Sequence, residues 1–230
     1  VECELATLCL KYLTFPCFRL DAADDPKELE EQAMEGHFAF QDYAISKWFF
    51  HVNAFVKSGT KFLEESRDRD NHLDAMTDAL DDFMMQFDEQ DWSSGAVVAC
   101  KPDCDTFQSL GLHENLYLLT SHIYTFQHKG FEAKHQISIK GLLEALERNR
   151  KLLEDLYPKL SSQEKDIYSQ FYDEKRRFKC TRITCRYFSE GFADASQKKK
   201  HINMHNRPFQ CDVTNCLGNE GFTNNNDLLK

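Results

Sequence analysis

The sequence predicts a mainly α chain, with an acidic all-α helical domain over residues 1–177 and small cysteine- and histidine-bearing modules over 178–230. Three observations predict this. Apolar residues recur at spacings of three and four through most of the first part, the period of a helix with one buried face. Charge is divided unevenly: residues 175–230 carry 11 basic and 5 acidic side chains, whereas residues 1–174 carry 17 and 33. Four of the nine cysteines stand in two tight pairs near the end of the chain.

Taken in order, residues 2–14 place Leu5, Leu8, Cys9 and Tyr12 on one helix face, and Pro16 stops the helix. Asp25 followed by Pro26 is a start signal, a capping side chain before a residue whose φ already suits a first turn; Gly36 closes that helix. A helix over 37–59 carries Tyr43, Ala44, Trp48, His51, Val52 and Phe55 on one broad stripe. The pattern stays helical but acidic from Gly59 to Asp91, with Leu73, Met76, Leu80, Phe83, Met84 and Phe87 inward. Residues 92–106 break the period and predict a loop. Helices are expected again over 107–128 and 136–160, the second ended by Pro158. Ser161 and Glu164 form a capping box opening a further helix that runs toward Cys180.

Composition narrows the function classes. Hydrophobic residues make up 41% and charged residues 29% of the chain, ordinary values for a soluble globular protein. No apolar run approaches the ~20 residues that span a bilayer, so no membrane segment is expected. Cys3, Cys9 and Cys17 sit among apolar residues and read as small buried hydrophobes. With an odd cysteine count, this predicts a reduced, intracellular setting, nuclear or cytoplasmic. The chain opens on Val1 without a signal-peptide core, which predicts a segment of a longer protein. Phosphate-loop, nucleophile-elbow and zincin motifs are absent, so no catalytic residues are expected and the segment reads as non-enzymatic.

The most specific feature is Cys180-x4-Cys185-x15-His201-x3-His205. Two cysteines on a tight turn and two histidines one helical turn apart can close a tetrahedron around Zn²⁺, with thiolates and neutral imidazoles as donors. An Arg-Pro-Phe lead-in then precedes Cys211-x4-Cys216, and Phe222 and Leu228 follow. Residues 178–230 thereby resemble the C2H2-type zinc-finger family. The resemblance implies a complete ββα finger over 178–206, with Phe192 as its core aromatic, and a second over 207–230 whose first histidine would come after Lys230. Cys211 and Cys216 would supply only half a ligand set. Two departures stand out: the Cys185-to-His201 gap is three residues longer than the family's usual ~12, and Lys198 occupies the place of a core leucine.

The same register implies base-reading positions at Asp194, Gln197 and Lys200, with Lys198, Lys199 and Lys200 near phosphate, and at Asn224, Asp227 and Lys230 in the second finger. Nucleic acid is therefore an alternative partner for the basic 175–230 segment, although one and a half fingers cover only ~3–6 bp. A protein partner is the leading expectation. A looser set, Cys100, Cys104, His113 and His122, is too closely spaced for a finger and reads as an ordinary polar turn. His122, His128 and His135 read as surface histidines, and His51 as a hydrogen-bonded core histidine.

A second resemblance rests on Cys9, Tyr12 and Leu13, followed by Tyr43, Ala44, Trp48 and His51. This pattern is similar to the helical region after the nucleotide-binding part of fungal NACHT/STAND-type signalling proteins. It implies a regulatory or sensor role, with any ATPase activity lying upstream. The combined expectation is a zinc-binding structural or interaction region of a multidomain regulatory protein.

Overall fold

The computed structural model describes residues 1–19, 21, 25–88, 92, 101, 103–128, 130, 132–213 and 220–229. The chain is mainly α, and its described residues contain no β-strand beyond two isolated bridges. Helix α1 (Glu2–Leu13) buries Cys3, Ala6, Cys9, Leu10 and Leu13, and a short 3-10 turn, Pro16–Phe18, follows it. Helix α2 (Pro26–Met34) starts at the expected cap, where Asp25 Oδ1 accepts from the backbone N–H of Lys27 and Glu28 at 3.0 and 3.2 Å. Gly36 then turns at φ +86°, a conformation that ends a helix.

For that reason the helix predicted from residue 37 begins later, as α3 (Gln41–Lys57). The continuous helix predicted over 59–91 is two, α4 (Gly59–Glu65) and α5 (Arg69–Gln86), because Ser66 adopts an extended backbone between them. Ser-Arg-Asp-Arg-Asp favours caps over helix interior, since its short polar side chains compete for backbone groups. Helix α6 (His113–His128) begins after a 3-10 turn at Asp105–Phe107, and α7 (Lys140–Leu156) precedes another 3-10 turn at Tyr157–Lys159. Helix α8 (Ser162–Phe171) opens on the predicted capping box, with both reciprocal bonds formed. It stops at Phe171 because Tyr172 is drawn into tertiary bonds: its hydroxyl donates to Ala33 O at 2.8 Å and accepts from Phe38 N–H at 3.3 Å.

The core gathers around α1, which packs against both α3 and α5. Trp48 meets Phe83 with ring centroids 5.6 Å apart, and Phe55 meets Phe107 at 5.0 Å. Such tilted aromatic pairs add to the apolar area they bury. Tyr43, predicted on the buried stripe, is 40% exposed, and its hydroxyl lies 2.9 Å from Nε2 of buried His51. The other ring nitrogen of His51 is 2.8 Å from Glu2, which ties the start of α1 to α3.

Candidate metal centre

Beyond α8, the chain leaves the helical layers and turns back against them. Phe178 and Phe192 form an antiparallel bridge, with paired bonds of 3.3 and 2.7 Å. Between them the loop carrying both cysteines closes on itself: Cys180 N–H donates to Tyr187 O at 2.9 Å, and Phe188 N–H to Cys185 O at 2.9 Å. A short helix, α9 (Tyr187–Glu190), lies within this loop, and Gly191 ends it at φ +66°. A Cβ at Gly191 would sit 2.0 Å from Arg176 O, so only glycine allows the chain to cross there.

Helix α10 (Ala195–Asn206) then starts at Asp194, whose carboxylate accepts from Gln197 N–H at 2.9 Å. Helical spacing puts His201 and His205 on one face, with their Nε2 atoms 3.0 Å apart. Cys185 Sγ lies 3.3 Å from His201 Nε2. One donor atom from each of Cys180, Cys185, His201 and His205 falls within 4.8 Å of every other. Among the described residues, no other group of three or more such side chains converges in this way.

Two thiols and two imidazoles converging at this distance are a donor set that can hold a metal ion. The surroundings suit that role. Tyr187 stacks on Phe192 with centroids 4.2 Å apart, and both rings stand 5.0 Å from the His201 ring, fixing its orientation. Burial holds the His201 pKa below its usual value, with Arg182 adding to the effect, so the imidazole stays neutral and able to donate. Cys180 is fully buried. Desolvation pushes its thiol up to about 11, opposed by the Arg182 N–H that approaches its sulfur at 3.5 Å. A buried thiol of this kind becomes a thiolate when a cation sits beside it.

The structure also shows what the spacing could not: the module is seated on the helical layers. Arg150 of α7 is 3% exposed and donates to Cys180 O at 2.6 Å, to Phe188 O at 2.8 Å and to Asp42 Oδ1 at 2.8 Å. Lys179 meets the other oxygen of Asp42 at 2.5 Å. Lys198, at the inward position expected for a leucine, sends its ammonium 2.6 Å from Glu154 on α7. Ile183 N–H donates to His135 O at 3.0 Å, and the side chains of His135 and Thr184 are hydrogen-bonded. Sequence reasoning missed Arg150, Asp42 and Glu154.

The remaining predicted residues fall as follows. Lys199 and Lys200 are exposed, whereas the Gln197 amide donates to Asp194 Oδ2 at 2.7 Å. Cys211 is half-buried, and Cys216 and Lys230 lie outside the described residues. The second module repeats the order of the first: a Phe209–Phe222 bridge, Gly221 at φ +83°, and Asn224 capping a single turn, α11 (Asn225–Leu228). Of the looser set, Cys104 and His122 are buried and Cys100 lies outside the described residues. His122 is thus a core residue, with its ring edge-on to Trp92 at 5.1 Å, and the surface reading is corrected there. Among the described residues no helix is long and apolar enough to cross a membrane. Comparison of the chain with protein-family models, with curated proteins and with solved structures finds no match.

Proposed function

We propose that residues 178–206 are a zinc-binding module of the C2H2 finger type, serving a structural and interaction role rather than catalysis. The observation that carries this reading is the convergence of Cys180, Cys185, His201 and His205. In a tetrahedral zinc site with Zn–S of about 2.3 Å and Zn–N of about 2.05 Å, neighbouring N–N and S–N pairs stand roughly 3.3 and 3.6 Å apart. The corresponding separations here are 3.0 and 3.3 Å, so these two pairs would widen by about 0.3 Å to reach that geometry. The order of bridge, glycine turn, capped helix and paired histidines supports the finger reading, with the hairpin reduced to one bridge.

Zinc would supply a redox-inert crosslink between the cysteine loop and α10. The four protein donors would fill its coordination shell, leaving no position for a substrate. Cobalt(II) titration of the full chain tests this. A tetrahedral two-sulfur, two-nitrogen spectrum should appear, saturate at about one equivalent and vanish in Cys185→Ser. Octahedral, water-like cobalt throughout would contradict the reading.

A nucleic-acid role has one observation in its favour, the exposed Lys199 and Lys200 on α10. Lys198 and Gln197 are engaged within the protein, and the adjoining helical layers are strongly acidic, which favours a protein partner. Salt-sensitive binding of duplex DNA by the full chain would reverse that preference.

A further inference from the structure

The cysteine loop has two jobs in this structure, and one side chain joins them. Arg150 offers a planar guanidinium whose donors point in fixed directions. It uses them on Cys180 O, Phe188 O and Asp42, and stacks 4.2 Å over the Phe188 ring. Cys180 and Phe188 bracket the loop that presents both thiols. Phe188, 2% exposed, belongs to the hydrophobic core of the helical layers. Asp42, on the first turn of α3, holds Arg150 and also Lys179, the residue before Cys180. The loop that offers the sulfur donors is therefore the loop that packs against α3 and α7.

The inner side of α10 shows the same dependence. A free-standing module would place an apolar residue at position 198; here Lys198 pairs with Glu154, their side chains 26% and 9% exposed. What the module lacks internally, the helical layers provide.

We propose that Arg150 is the positioning residue of the metal site and makes metal binding and docking of the module on the helical layers one event. This rests on the zinc reading above. The metal fixes the loop in the shape that Arg150 recognises, and Arg150 holds the two carbonyls that set the spacing of the thiols. By linkage, each then strengthens the other to the same degree. If the loop were released, Arg150 would lose two carbonyl partners and a packed aromatic, and Asp42 would lose Lys179, in a largely buried site, a costly state. Loss of metal therefore reaches α3 and α7 instead of stopping at the module's own edge.

The test uses the full chain, with zinc content measured first, followed by amide hydrogen exchange before and after chelation. Exchange is expected to rise within residues 178–206 and also across residues 148–154 of α7. Chelator competition should show zinc bound 10- to 100-fold more weakly in Arg150→Met, the range for loss of an outer-shell partner. Arg150→Lys should recover part of the loss, because it restores charge without the planar fork. Faster exchange confined to 178–206, or unchanged affinity in a folded Arg150→Met protein, would overturn the proposal. Should Arg150→Met fail to fold, the exchange experiment on the unsubstituted chain decides alone, and Glu154→Ala, which removes the partner of Lys198, gives a second affinity measurement expected to fall in the same direction. A chain that binds no zinc at all would overturn the zinc reading itself, a result distinct from zinc bound without coupling.

Discussion

Gly191 shows how closely a single position can constrain the site. Its backbone, at φ +66° and ψ −175°, lies in a region open essentially to glycine alone, and a Cβ there would collide with Arg176 O at 2.0 Å. Backbone strain of this kind costs roughly 1–3 kcal/mol before any clash is counted. Gly191→Ala is therefore expected to lower the denaturation midpoint and weaken metal retention together, because the residue joins the cysteine loop to Phe192 in its bridge with Phe178. Chemical denaturation with parallel metal analysis checks this; an unchanged midpoint would count against it. Asp25, Gly36 and Ser161 are legible in the sequence because their partners lie within a turn, and Cys180, Cys185, His201 and His205 because their types and spacing form a recurring pattern. Arg150 is different. Its partners lie 30 and 108 positions away, and nothing local points to them.

At the scale of elements, the helices were legible where their periodicity was strong and their ends were marked by side chains. α8 illustrates both halves of this. Its start carries the Ser161–Glu164 box, with Ser161 Oγ accepting from Glu164 N–H at 3.4 Å and Glu164 accepting from Ser161 N–H at 2.8 Å. Ser161→Ala should cost about 1 kcal/mol in a urea denaturation series, and a cost near zero would mean that tertiary packing alone holds this helix start. Its end carries no such mark, and tertiary bonds to Tyr172 overrode the helical pattern that continues to residue 178. α7 held a signal that periodicity could have revealed. Asn149 and Arg150 fall on the stripe that buries Leu142, Leu146, Leu153 and Leu156. Buried polar residues on such a stripe need partners. Asn149 finds Cys17 O at 3.0 Å, and Arg150 finds the cysteine loop. The hairpin expected of the module is a single bridge, Phe178 with Phe192, because the residues between them close into the cysteine loop and the short helix α9 instead of pairing as strands.

The whole molecule joins an acidic helical layer to a basic module, and its buried ionisable groups set a direction for its response to pH. Burial pushes the thiols of Cys3, Cys9 and Cys17 up to about 11, 12 and 12, and raises the phenols of Tyr12, Tyr168 and Tyr172 as well. Each group is neutral when folded and ionises more readily when unfolded. Their contribution to stability is complete below the unfolded pKa values, about 8.5 for thiols and 10 for phenols, and is lost as pH rises beyond them. The denaturation midpoint is therefore expected to fall between pH 7.5 and 10, with tyrosinate absorbance of the buried phenols appearing only as the chain unfolds. A midpoint that holds to pH 10 would show these groups to be better hydrated than their burial implies.

Cys180, Cys185, His201 and His205 are proposed here to form one zinc site seated on the helical layers. Elemental analysis of the purified full chain tests it most directly. About one zinc per chain is expected, with the metal lost when either Cys180→Ser or His201→Asn is introduced. A chain carrying no zinc with all four residues intact, or one whose zinc survives both substitutions, would contradict it.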